Sequence, residues 1–178
     1  MAGAGRQPNI LLITIDRQRC DTLACYCNRY ALSPHLDRLA AEGGVFEQAH
    51  TSSPVCLPAR GSVLTGVHAP IHGAIENGIA RRDQLTTYPD LLVGSGYRTI
   101  LSGKAHFGPI PDGFAVRCVI GEKAARQEDP WSAHLREHGL TRATGFPHPI
   151  PPKLFMEPFL VDRTIGAIEE AVALGGAP

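Results

Sequence analysis

The residues of this chain whose types and spacing can do chemistry are Asp16, Cys56, Arg60, Lys104 and His106. The stretch Cys56-Leu57-Pro58-Ala59-Arg60-Gly61-Ser62-Val63-Leu64-Thr65-Gly66 sets a cysteine two places before a proline and four before an arginine. Pro58 can open a short helix through Leu64, which puts Cys56 just before that helix's N-terminus and Arg60 one turn after Cys56. Arginine offers a fixed fork of donors, lysine a point charge, and aspartate an oxygen for a hard cation. Asp16 ends one apolar run and Gly103-Lys104 ends another. Ligands of open α/β sheets bind outside the carboxyl ends of the strands, so Asp16, Cys56 and Lys104 can share one crevice. A cysteine phosphatase needs C-x5-R to wrap its phosphate, and the C-x3-R spacing here argues against that chemistry.

The elements that must position these residues follow from periodicity. Asn9-Ile10-Leu11-Leu12-Ile13-Thr14-Ile15 reads as a strand buried on both faces, as in a parallel sheet. Ser33-Pro34 starts a helix with Leu36, Leu39 and Ala40 on one face, closed by Gly43-Gly44. A helix is expected over 86–92 and a second buried strand over 97–102. Residues 107–158 hold eight of the fifteen prolines and read as an irregular excursion with one helix around 131–137. Val161, Ile165, Ile168 and Val172 make one stripe of a final helix. Alternating strands and helices of this kind indicate an α/β fold. With only two or three strands evident, the chain reads as the N-terminal part of something longer.

A chain of 178 residues with 43% hydrophobic residues fits one domain with a real core. Lys+Arg and Asp+Glu balance at 17 each, so no net field draws it to nucleic acid or an anionic membrane. The segment 1–8 lacks the apolar stretch of a secretory signal, and no apolar run approaches the ~18–20 residues that span a bilayer. The expectation is a cytoplasmic protein with neither nucleic-acid nor membrane partners. The five cysteines are an odd number, against a disulfide framework. Cys20, Cys25 and Cys27 lack zinc-knuckle spacing and read as small apolar side chains packed under a loop.

Three separate stretches resemble the formylglycine-dependent (type I) sulfatases of the alkaline-phosphatase-like superfamily. The cysteine motif with its Leu64-Thr65-Gly66 tail is one. The opening segment 8–16, followed by Arg19, Asp21, Leu23 and Cys25-Tyr26, is the second. Gly103-Lys104-Ala105-His106-Phe107-Gly108 is similar to the family's G-K-x-H-x-G element and is the third. The resemblance covers residues 8 to about 108 well and is looser beyond. It implies an α/β/α sandwich with a mostly parallel sheet, of which residues 1–178 form the N-terminal portion.

The resemblance further implies that Cys56 is oxidised by a formylglycine-generating enzyme to an aldehyde, which hydrates to a geminal diol. One hydroxyl attacks the sulfur of a small-molecule sulfate ester and the alcohol leaves. The second hydroxyl then loses its proton, and the carbon–oxygen bond to sulfate breaks to regenerate the aldehyde. The implied roles are metal binding for Asp16 and for the converted Cys56, and orientation of the diol for Arg60. Lys104 would hold a sulfate oxygen, His106 would take the second hydroxyl proton, and Asn77 would contact substrate. The implied cation is calcium, with manganese or magnesium as alternatives. Arg17 stands where many relatives carry a second aspartate, and Ala59 where serine is commoner. The family's later metal pair and general-acid histidine match nothing in 109–178. Three readings stay open at this point: a sulfuric ester hydrolase, a phosphonate monoester or phosphodiester hydrolase on the same scaffold, and an inactive truncated homologue. Bland roles also stay open, since Asp16 after a strand and Asn77 before Gly78 both suit turns.

Overall fold

The structure, a computed structural model, describes residues 7–120, 129–141 and 150–174. Two compact units are present, Asn9–Thr51 and a larger one formed by Met1–Pro8 with Ser52–Pro178.

The smaller unit differs from expectation at its start. Residues 9–15 form no strand, and the apolar side chains from Ile10 to Ile15 are exposed, Ile13 by 71%. Such a run is stable as a strand only when neighbours pair with its edges and cover its faces, and among the described residues none pairs with it. Single 3-10 turns follow at Cys20–Thr22 and Ala24–Tyr26, then helix α1 (Pro34–Glu42). Asp37 joins these pieces. Its Oδ1 accepts from the Cys25 amide at 2.9 Å and from the Ser33 hydroxyl at 3.0 Å. Cys20 and Cys27 are exposed and only Cys25 is half-buried, so the cysteine-lined packing expected here does not form.

The larger unit carries helices α2 (Cys56–Thr65), α3 (Ala69–His72) and α4 (Tyr88–Gly94), strands β1 (Ile100–Gly103) and β2 (Val116–Val119), then α5 (Pro130–Glu137) and α6 (Met156–Ala173). Thr87 and Asp90 form a capping box that fixes the start of α4. β1 and β2 pair in parallel with Ile100 opposite Val116 and Gly103 opposite Val119. β2 lies within the segment expected to be irregular, whereas α5 lies where a helix was expected. The main core is Leu64 of α2 with Ala105, Phe107 and Phe114, edged by Tyr88, Leu101, Ile110 and Val119. A second cluster joins Leu135, Ile150 and Leu154, and the Trp131 indole N–H donates to the Leu154 carbonyl at 3.0 Å.

Helix α6 packs on the two strands, with Thr164 Oγ1 2.8 Å from Ser102 Oγ and an Arg98–Glu170 ion pair of 3.1 Å. Phe159 is its buried residue. The stripe Val161, Ile165, Ile168 and Val172, expected to face the core, is exposed instead, Val172 by 67%. Thr164 sits on the face turned to β1, and the aliphatic stripe lies on a more exposed part of the helix. The α/β class stands, and no helix among the described residues is long and apolar enough to cross a membrane.

Candidate active site

Helix α2 buries Leu57, Pro58, Gly61 and Leu64, a spacing that turns one face to the core. Cys56 and Arg60, four apart, share another face and are both half-buried. Pro58 costs the helix nothing, because a first-turn N–H has no intrahelical acceptor to lose. The Leu57 N–H is one of those orphan donors, and it donates to Asn77 Oδ1 at 3.0 Å. Asn77 therefore caps α2 from twenty residues away in sequence. Helix N-termini favour negative charge, and Cys56 is the first residue of this one.

After β1 the chain continues with alternating burial. Gly103, Ala105 and Phe107 are buried, while Lys104 and His106 are half-buried. Ala105 and Phe107 go into the core, and Lys104 and His106 alternate with them. His106 has a left-handed backbone, with φ of 48°. Gly108 has φ of 87°, and a Cβ there would lie 3.0 Å from the Arg81 backbone nitrogen, so both conformation and space call for glycine.

One contact joins the two segments. Arg60 Nη1 donates to the Lys104 carbonyl at 2.8 Å across 44 positions of sequence. The guanidinium thus braces the Lys104–His106 segment against the helix that begins at Cys56. Asp16 belongs to the smaller unit, at a turn whose next residue, Arg17, has φ of 57°. Calcium takes about 6–8 oxygen ligands. Among the described residues no group of three or more His, Cys, Asp or Glu side chains is arranged to hold a metal ion. Among the described residues Asp16 would thus offer a cation one oxygen but not a full shell.

Reasoning from sequence missed His72 and Arg81. His72 is fully buried beneath α2, with Nε2 3.1 Å from Ser62 Oγ and Nδ1 accepting from the Ala74 amide at 3.2 Å. Arg81 is buried too, donating to the Arg82 and Pro109 carbonyls at 2.6 and 3.1 Å. Burial holds His72 below its ordinary 6.5, with the Arg81 charge adding to the effect and the Pro58 carbonyl opposing it. The only signal for either was His72-Gly73 shortly after the cysteine helix. Burial pushes the Cys118 thiol up, which disfavours its thiolate and leaves it a poor nucleophile.

The depressed value has a consequence for stability. Below pH 6.5 the unfolded chain takes up a proton on His72 that the folded chain refuses. Stability therefore falls as pH drops from 6.5 toward the folded value. The urea midpoint of His72→Gln is expected to show a shallower loss than wild type as the pH falls below 6.5. Parallel curves for the two proteins would contradict this.

The Sulfatase family model matches residues 8–141. The chain is 34% identical over 155 residues to the steryl-sulfatase of Mus musculus, covering 81% of this chain and 23% of that protein. It is 37% identical over 105 residues to the arylsulfatase of Clostridium perfringens, covering 58% of this chain and 22% of that protein. The chain thus spans less than a quarter of the length of either relative. The phosphonate monoester hydrolase of Agrobacterium radiobacter superposes with a TM-score of 0.77 over 92% of this chain and 38% of that one; at 22% identity this likeness shows the fold alone. The family match takes in the segments that carry Cys56, Arg60, Lys104 and His106, and this chain belongs to the sulfatase family.

Proposed function

We propose that the protein hydrolyses a small-molecule sulfate monoester, with residue 56 acting as formylglycine after oxidation by a maturation enzyme. The observation that supports this reading is the 2.8 Å bond from Arg60 to the Lys104 carbonyl, which ties the backbone segment carrying Lys104 and His106 to the helix that begins at Cys56. A cationic fork, a lysine and a histidine drawn from these two segments form the proposed site. That is a set of groups suited to a tetrahedral anion. In this reading Arg60 orients residue 56, Lys104 holds a non-bridging sulfate oxygen, and His106 removes a proton from residue 56 so that sulfate can leave. Asn77 commits Oδ1 to Leu57 and has its amide NH2 to offer a substrate oxygen. Asp16 would give one oxygen to a divalent cation, calcium ahead of manganese or magnesium.

The test compares initial rates on an aryl sulfate and an aryl phosphonate monoester, using the whole encoded protein produced with its maturation enzyme. The expected result is faster turnover of the sulfate ester. Faster turnover of the phosphonate would assign the protein to the phosphonate hydrolase alternative, and turnover of neither would make it a non-catalytic homologue.

A further inference from the structure

Helix α2 presents Cys56 and Arg60 on one face, and on another it rests on a histidine. His72 is 0% exposed. Its ring lies so close beneath Gly61 that a Cβ there would stand 3.0 Å from Cε1, 3.2 Å from Nε2 and 3.3 Å from Nδ1. Such contacts are tighter than nine in ten that real Cβ atoms make, so a methyl there requires the ring or the helix to give by a few tenths of an ångström. Gly61 is therefore the residue that lets the helix settle onto the ring, although glycine inside a helix costs roughly 1 kcal/mol relative to alanine. The ring is fixed in its plane as well. The Ala74 N–H donates to Nδ1, so in the neutral ring the proton resides on Nε2 and is donated to Ser62 Oγ at 3.1 Å. Behind the ring, the His72 carbonyl accepts from the Arg82 amide at 2.8 Å. This closes a loop whose next-door Arg81 reaches the Pro109 carbonyl and whose Asn77 reaches Leu57.

We infer that His72 is a positioning residue: its neutral ring sets how α2 lies, and so where residue 56 and Arg60 point, given the roles proposed for them above. It touches no reacting atom. The geometry makes Gly61 and His72 a size-complementary pair, with Ser62 and the Ala74 amide among the partners that keep the ring from turning.

The test uses the whole encoded protein in two forms. One is unmatured, in which the Cys56 thiol is alkylated with iodoacetamide and followed by peptide mass spectrometry. The other is matured, with kcat and KM measured on an aryl sulfate. Gly61→Ala is expected to change the Cys56 alkylation rate several-fold and to lower kcat about ten-fold or more with little change in KM, because displacing a reacting group costs turnover rather than binding. Adding His72→Asn, which removes ring volume and keeps an acceptor for Ala74, is expected to restore both readouts toward wild type. A double variant no better than Gly61→Ala, or a Gly61→Ala protein with unchanged readouts, overturns the inference. If Gly61→Ala does not fold, Ser62→Ala decides. A several-fold change in kcat or alkylation at unchanged melting temperature supports positioning, and no change overturns it. A protein that turns over no sulfate yet shows the alkylation rescue would remove the hydrolase reading and keep this one.

Discussion

Cys56→Ala is expected to remove sulfate ester hydrolysis, lowering kcat by on the order of 10³-fold or more, as loss of a catalytic nucleophile does elsewhere. The fold should survive. Cys56 is half-buried at the first turn of α2, and alanine suits a helix at least as well. Cys56→Ser is the sharper variant. An unmodified serine has one hydroxyl, so a sulfate transferred to it has no second hydroxyl through which carbon–oxygen cleavage can regenerate the side chain. At most one turnover per protein is expected, with sulfate retained on the peptide that carries residue 56. Steady turnover by Cys56→Ala would place the chemistry on another group.

The second large effect is expected at Arg60. Its guanidinium braces the Lys104 carbonyl at 2.8 Å, and in the proposed reading it also orients residue 56. A lysine cannot do both, because its single ammonium lacks the planar fork. Arg60→Lys is expected to lose about 10²-fold in kcat/KM and Arg60→Ala about 10³-fold, the range found when one preorganised donor is removed from an anion site. Stability should fall less. The lost contact is one charged hydrogen bond in a half-buried setting, roughly 1–3 kcal/mol. Parallel measurement of kcat/KM and urea midpoints separates the two effects. If Arg60→Lys retains full activity, the guanidinium is structural and Lys104 is held by other means.

How much of this was legible in the sequence depended on the range of the interactions involved. The existence of α2 with its Cys56–Arg60 spacing and the helix at α5 were readable because proline position and i, i+4 spacing act within a turn or two, although α2 begins at Cys56 and not at the expected Pro58. Strand β1 was readable as the stretch 97–102 between Gly96 and Gly103, of which Ile100–Gly103 forms the strand. The apolar run of 10–15 and the stripe on α6 misled in the same way. Each shows the right pattern for burial, but burial needs a partner, and both stay exposed among the described residues. β2 was missed because four residues between prolines and glycines carry little local signal, and it pairs only because Thr99 and β1 lie alongside. The supports of the candidate site were the least legible. Arg60 to Lys104, Leu57 to Asn77 and the ring of His72 under Gly61 all join positions far apart in the chain. The family resemblance named Arg60, Lys104 and Asn77 as site residues, but it could not foretell that the first two bind each other or that Asn77 caps the helix of Cys56.

The account rests on residue 56 being an aldehyde when the protein works. The most direct measurement is the mass of the peptide carrying residue 56, taken from protein that is turning over an aryl sulfate. The account predicts that the thiol sulfur has been replaced by an aldehyde oxygen in the active fraction. An unmodified Cys56 in protein that hydrolyses the ester would contradict it.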